Sequence, residues 1–174
     1  MFRLFLLRRV LRADKRRKRV VGFEQARSIL VLYELMPDNS HAFVESLLGE
    51  IRNEGKNITA FGFDYRKKVS EATLSDPGRL ITRSDFAWTM KPRKQLLKEI
   101  TEAHNCDILL DLSTHNAIQM KFLAASIPAP YKVGAAHPDF LDIYDLILEV
   151  DSTCHPKDLA QHAIHYLKII KTPQ

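Results

Sequence analysis

Asp107–Leu112 (DILLDL) is a short, mostly apolar run. Runs of this kind suit strands covered on both faces, as in a parallel sheet with helices on each side. The segments around it alternate accordingly. Ser28–Leu35 (SILVLYEL) reads as the first strand, Ile58–Phe63 as the second, Asp107–Leu112 as the third, Tyr131–Gly134 as the fourth and Tyr144–Val150 as the fifth. Between them, Phe43, Leu47, Leu48 and Ile51 recur at helical spacing, with Asp38, Asn39 or Ser40 as cap and Gly55 as stop. Leu96, Leu97, Ile100 and Ala103 form a stripe behind Pro92, which reads as a first helical residue. Ile118, Phe122 and Ala125 follow a cap at Ser113 or Thr114 and end at Pro128, and Pro156–Ile170 reads as the closing helix.

This order predicts an α/β protein: a Rossmann-like, open, mostly parallel sheet of about five strands with helices on both faces. The fourth and fifth strands are separated by only about nine residues, which is short for a helical crossover. Either a single turn around Pro138–Asp142 joins them in parallel, or they pair antiparallel. Residues 64–90 are irregular apart from the turn Asp76-Pro77-Gly78.

Charge divides the chain unevenly. Residues 1–21 hold nine Lys/Arg and one acid, a net of +8; the other 17 bases and 20 acids sum to −3. The expected organisation is a basic arm over 1–26 and a Rossmann-like domain over 27–174. On a helical wheel over about residues 2–18, Phe2, Leu4, Leu6, Leu7, Val10, Leu11 and Ala13 fall on one side. Arg8, Arg9, Arg12, Lys15, Arg16 and Arg19 fall on the other, while Arg3, Phe5, Arg17 and Lys18 break the pattern. These nine cations form the expected polyanion-binding set, because Lys and Arg on phosphates release condensed counterions. The same segment has the make-up of a helix lying in a membrane interface.

Familiar enzyme signatures are missing from the sequence. The first strand-to-helix turn, Glu34-Leu35-Met36-Pro37-Asp38-Asn39-Ser40, has no glycine to admit a phosphate and carries two acids. No P-loop, G-x-S-x-G or H-E-x-x-H motif occurs. Cys106 and Cys154 form neither a disulfide framework nor a zinc cluster, which suits a reducing compartment. No apolar run is long enough to span a membrane. The expectation is therefore no cofactor, no metal and no catalytic set. In an open sheet a ligand would meet the carboxyl ends of the strands. The polar residues expected at that crevice are Glu34, Asp64, Ser113, Thr114, His115, Asn116, His137 and Asp151. Trp88 lies in the long loop, where packing against the sheet is expected.

Two resemblances add to this. The basic arm, SILVLYE, FAWTMKP (Phe86–Pro92), DILLDLS, YKVG and HYLKII together resemble an uncharacterised bacterial family of unknown function. That resemblance implies a Rossmann-like body with a basic N-terminal arm and brings no activity with it. Asp107–Gly134 (DILLDLSTHNAIQMKFLAASIPAPYKVG) is similar to the N-terminal half of heptosyltransferase-type glycosyltransferases. Those enzymes hold a nucleotide-sugar with a second domain, for which no sequence follows residue 174; the likeness implies fold rather than sugar transfer. The function expected from all this is a non-enzymatic cytoplasmic module, anchored to RNA or the ribosome by its arm. The alternatives are a peripheral protein of an anionic membrane using the same arm, a small-ligand binder, or a degenerate glycosyltransferase-like domain.

Overall fold

In a computed structural model of the chain, residues 2–35, 40–64, 78–103, 105–114, 117–151 and 154–171 are described. The first strand, β1 (Ser28–Glu34), is central. It pairs in parallel with β2 (Asn57–Asp64) on one side and with β4 (Ile108–Asp111) on the other, so that Ile29 sits between Ile58 and Ile108. β3 (Gly78–Thr82) extends the sheet beyond β2, while β5 (Tyr131–Ala135) and β6 (Leu146–Leu148) extend it beyond β4. All five pairings are parallel and the order is β3-β2-β1-β4-β5-β6, that of a doubly wound, Rossmann-like α/β fold.

Six strands replace the expected five. β3 lies inside the region read as irregular, and its Leu80 and Ile81 pair opposite Gly62 and Phe63. β5 and β6 are parallel, with one 3₁₀ turn at Leu141–Ile143 in place of a crossover helix.

Alternation along the strands divides the core into two layers. Ile29, Val31, Tyr33 and Leu35 face α2 (Ser40–Asn53) and α5 (Pro156–Ile169), which supply Val44, Leu48, Leu159 and Ala163. Leu30, Leu32, Phe61 and Phe63 face α3 (Lys94–Ala103) and α4 (Ile118–Ser126), which supply Leu96, Ile100, Met120 and Phe122. Two expected helix starts move. Pro92 bridges Phe86 in a tight loop and α3 begins at Lys94, while α4 starts after Ala117 because Ser113 is drawn back to Asp111.

The arm is part of this packing. α1 (Phe2–Arg12) lies against α4, with Leu7 1% exposed and Leu4, Leu6, Val10 and Leu11 packed around it. The helix ends well before residue 18. Asp14 accepts a hydrogen bond from the Arg16 amide, bending the chain locally, and the Arg19 amide then donates to the Pro130 carbonyl. Residues 15–20 consequently leave helical geometry and follow the body toward β1. Phe2, read as part of the apolar side, is instead 57% exposed, as is Phe5 at 56%.

Candidate nucleic-acid interface

Because α1 spends its leucines on α4, its opposite side is presented on a fixed support. Phe5 and Arg9 point away from the buried Leu7, with Arg8 and Arg12 alongside. Arg3, Arg8, Arg9, Arg12, Lys15, Arg17, Lys18 and Arg19 are all exposed. Lys18 and Arg19 lie 3.5 and 4.0 Å from Asp145 and Asp107, solvated contacts that leave their charge available. Between α1 and the Leu141–Ile143 turn is a cleft of about 660 Å³ lined by Arg8, Arg12, Lys18, Asp142 and Tyr144 among others.

Arg16 departs from the expected set. Its side chain is 2% exposed and every guanidinium nitrogen is engaged inside the protein. Nη1 and Nη2 grip the two oxygens of Asp145 at 2.7 and 2.9 Å, Nε binds Asp14 at 2.8 Å, and Nη1 also reaches the carbonyls of Ala129 and Pro130. The planar fork suits this bidentate role. Burial works against the Arg16 charge, yet Asp145 and Asp14 together raise its pKa above the ordinary value. Burial likewise pushes Asp145 up, but the Arg16 and Lys132-amide hydrogen bonds, with the charges of Arg16 and Lys18, hold it below 3.8. Arg16 is a clamp for the arm and is not offered to an outside phosphate.

The strand-end residues separate. Glu34 and Ser113 lie on the α4 side of the sheet and Asp64 lies on the α2 side; each is 1% exposed. Thr114 is half-buried and Asp151 is exposed beyond β6. His137 stacks on Phe140 with ring centres 4.6 Å apart, and its Nδ1 accepts from the Asp139 amide. His115 and Asn116 lie outside the described residues. Glu34, Asp64 and Ser113 thus lie buried at the carboxyl ends of the neighbouring strands β1, β2 and β4, on both faces of the sheet.

A different constellation occupies the end of β4. Asp111 Oδ1 accepts from the Ser113 amide at 2.9 Å and its hydroxyl at 2.5 Å; Oδ2 accepts from Lys121 at 3.1 Å and the Tyr144 hydroxyl at 2.5 Å. Lys121 Nζ also lies 2.9 Å from both Ser113 Oγ and Tyr144 Oη. Asp111, Ser113, Lys121 and Tyr144 are 0, 1, 2 and 5% exposed. Burial, the Asp111 charge and hydrogen bond, and the Glu34 charge hold the Tyr144 hydroxyl well above its usual pKa. The donors converge on one carboxylate, so the set acts as a polar joint between β4, α4 and the segment after β5. Gly134 makes room for it: a Cβ there would lie 2.5 Å from the Tyr144 ring.

A second buried lysine, Lys132, is 0% exposed and donates to the Ala125 carbonyl in the last turn of α4. Burial, reinforced by the nearby Arg16 charge, lowers its pKa to about 8. Beside it, burial raises the Cys106 thiol to about 12, so that residue is an inert part of the core.

The family of unknown function DUF6913 matches residues 3–170, a span that takes in every strand and helix just described except the first residue of α1. The chain belongs to this family. No curated protein and no solved structure matches it. For this DUF6913 chain the glycosyltransferase likeness over residues 107–134 is not supported by these comparisons. No described helix is long and apolar enough to cross a membrane, and no described group of three or more His, Cys, Asp or Glu is placed to hold a metal. What sequence reasoning missed in this DUF6913 protein is the inward role of Lys121, Lys132, Tyr144 and Arg16. Only the two lysines carried a signal: each interrupts an otherwise apolar segment, MKFLAAS and YKVG.

Proposed function

We propose that this protein is a non-enzymatic RNA-binding module whose anchor is the outer side of α1 and the extended segment after it. One observation carries the proposal: the helix is fastened to the body through its leucines, so its arginines stand on a rigid, solvent-facing ridge. Arg3, Arg8, Arg9, Arg12, Lys15 and Arg17 are exposed there, on a body that is otherwise net negative. A fixed row of cations loses less conformational freedom on binding a phosphate backbone than a loose tail does. The ribosome is one polyanion that fits this description.

The membrane reading keeps Phe2 and Phe5, which are exposed. It loses Leu4, Leu6, Leu7, Val10 and Leu11, whose apolar surface is already placed against α4. An interfacial helix draws much of its affinity from such a face, and this favours RNA.

The test is a salt titration of full-length protein on fluorescently labelled single-stranded RNA. Affinity should fall steeply with salt, with a slope reflecting on the order of five phosphates. The triple change Arg8→Glu, Arg9→Glu and Arg12→Glu should reduce the slope by roughly two. Absence of RNA binding at about 50 mM salt, where such contacts are strong, refutes the proposal, as does stronger capture by anionic vesicles.

A further inference from the structure

Trp88 is 81% exposed and is the only tryptophan in the chain. Such a side chain ordinarily finds burial, so its display calls for an explanation. The display is built into the loop. Phe86 is buried 5.4 Å edge-on to Phe63 and bridges Pro92 across the loop. The Ala87 amide donates to the Lys91 carbonyl and the Met90 amide to the Ala87 carbonyl, each at 2.8 Å. Met90 is held at φ 70°, a left-handed conformation costly for a side chain of this kind. These constraints fix the turn and leave Trp88 at its tip.

The Trp88 indole lies nearly parallel to Phe2, with centroids 6.3 Å apart and planes 11° apart. Phe5, one turn further along α1, is also exposed. Two stacked rings are thus outward-facing where α1 meets the loop, with the exposed Phe5 on the next turn of the helix. The charge around them has one predominant sign. Arg3 and Arg9 belong to the helix, and residues 83–98 carry five bases against one acid, a net of +4. Arg83, Arg93 and Lys94 of that segment are exposed.

Exposed aromatic faces interleaved with cations are what unpaired nucleobases on a phosphate backbone require: the rings take the bases and the cations track the phosphates. A duplex keeps its base faces inside the stack and offers them nothing. We infer that Trp88, Phe2 and Phe5 form a stacking platform for the bases of a single-stranded nucleic acid. This rests on the RNA reading of the arm and narrows it from any polyanion to an unpaired strand.

Trp88 reports on the idea directly, since all indole fluorescence of the full chain comes from this residue. Three probes are titrated: a twelve-residue oligouridylate, an RNA duplex of the same length, and phosphatidylcholine–phosphatidylglycerol vesicles. The expected result is strong quenching by oligouridylate and little by the duplex. Trp88→Ala should weaken oligouridylate binding by about 10-fold or more, while Trp88→Phe should retain most of it. As the side chain is exposed, the variant should keep the wild-type circular dichroism spectrum. RNA binding without quenching, together with unchanged affinity in Trp88→Ala, overturns the stacking platform and leaves the arginine ridge standing. Failure of the wild-type protein to bind any RNA overturns both. A blue-shifted emission with vesicles and no quenching by oligouridylate overturns the platform in favour of a lipid surface.

Discussion

Replacing Lys121 with Met should strip the buried joint at the end of β4 of its only cation. The wild-type ammonium lies 3.1 Å from Asp111 Oδ2 with both side chains at most 3% exposed. Met keeps much of the side chain's volume, so the change is principally electrostatic. Asp111 would retain the Ser113 amide, the Ser113 hydroxyl and the Tyr144 hydroxyl as donors, but its charge would be buried without a counter-ion from Lys121. Breaking such a pair from one side costs about 3–5 kcal/mol. For a protein of this length that lowers Tm by about 10 °C and removes a substantial part of the roughly 5–15 kcal/mol that holds a typical domain folded. Urea denaturation at pH 7 of the wild type, Lys121→Met, Asp111→Asn and the double variant gives a complete cycle. The double variant should be more stable than the sum of the single losses implies, with a coupling of about 2 kcal/mol. A loss under about 1 kcal/mol for Lys121→Met, or strict additivity, would show that the joint is not the electrostatic unit described.

Three further outcomes follow from buried charges. Arg16→Ala should cost about 3 kcal/mol and make the bonds after Arg17, Lys18 and Arg19 more sensitive to trypsin; unchanged cleavage would mean that Arg16 does not fasten the arm. Because the folded-state pKa of Asp145 is depressed, its contribution is present above about pH 4 and disappears as pH falls through the lower folded value. Arg16→Ala should therefore show a shallower acid loss of stability than wild type. The opposite sign applies to Lys132: with its pKa lowered to about 8, the unfolded chain binds the extra proton between there and 10.5. Wild-type stability relative to Lys132→Met should rise with pH across that window, at up to about 1.4 kcal/mol per unit; parallel pH curves for the two proteins would contradict this.

The sheet was largely legible because its strands are apolar on both faces, and SILVLYE and ILLD admit few other readings. β3 was hidden because GRLIT is short and follows a long polar stretch, so only pairing with β2 reveals it. The end of α1 was hidden for a different reason: local periodicity favours helix to about residue 18, and the Arg16 clamp, a contact between distant segments, overrides it. The exposure of most of the arm's cations was legible, since exposure is the default for Arg and Lys. Arg16, Lys121 and Lys132 break that default; the two lysines interrupt otherwise apolar segments, whereas no local pattern separates Arg16 from the solvated cations around it. Trp88 shows the converse, an aromatic residue expected to pack and held outward by the turn beneath it.

The partners of Arg16 lie far along the chain, 113 residues away at Ala129 and 129 away at Asp145. During synthesis the arm is made well before them, so apart from Asp14 the groups that Arg16 grips do not exist until most of the protein has been translated. At ordinary elongation rates that interval is on the order of ten seconds. Throughout it the leucines of α1 have no α4 to cover them and the full cationic run is unhoused. A segment translated ahead of its partners is thus among the last to be seated, and for that interval its cations are open to any anionic surface close to the point of synthesis.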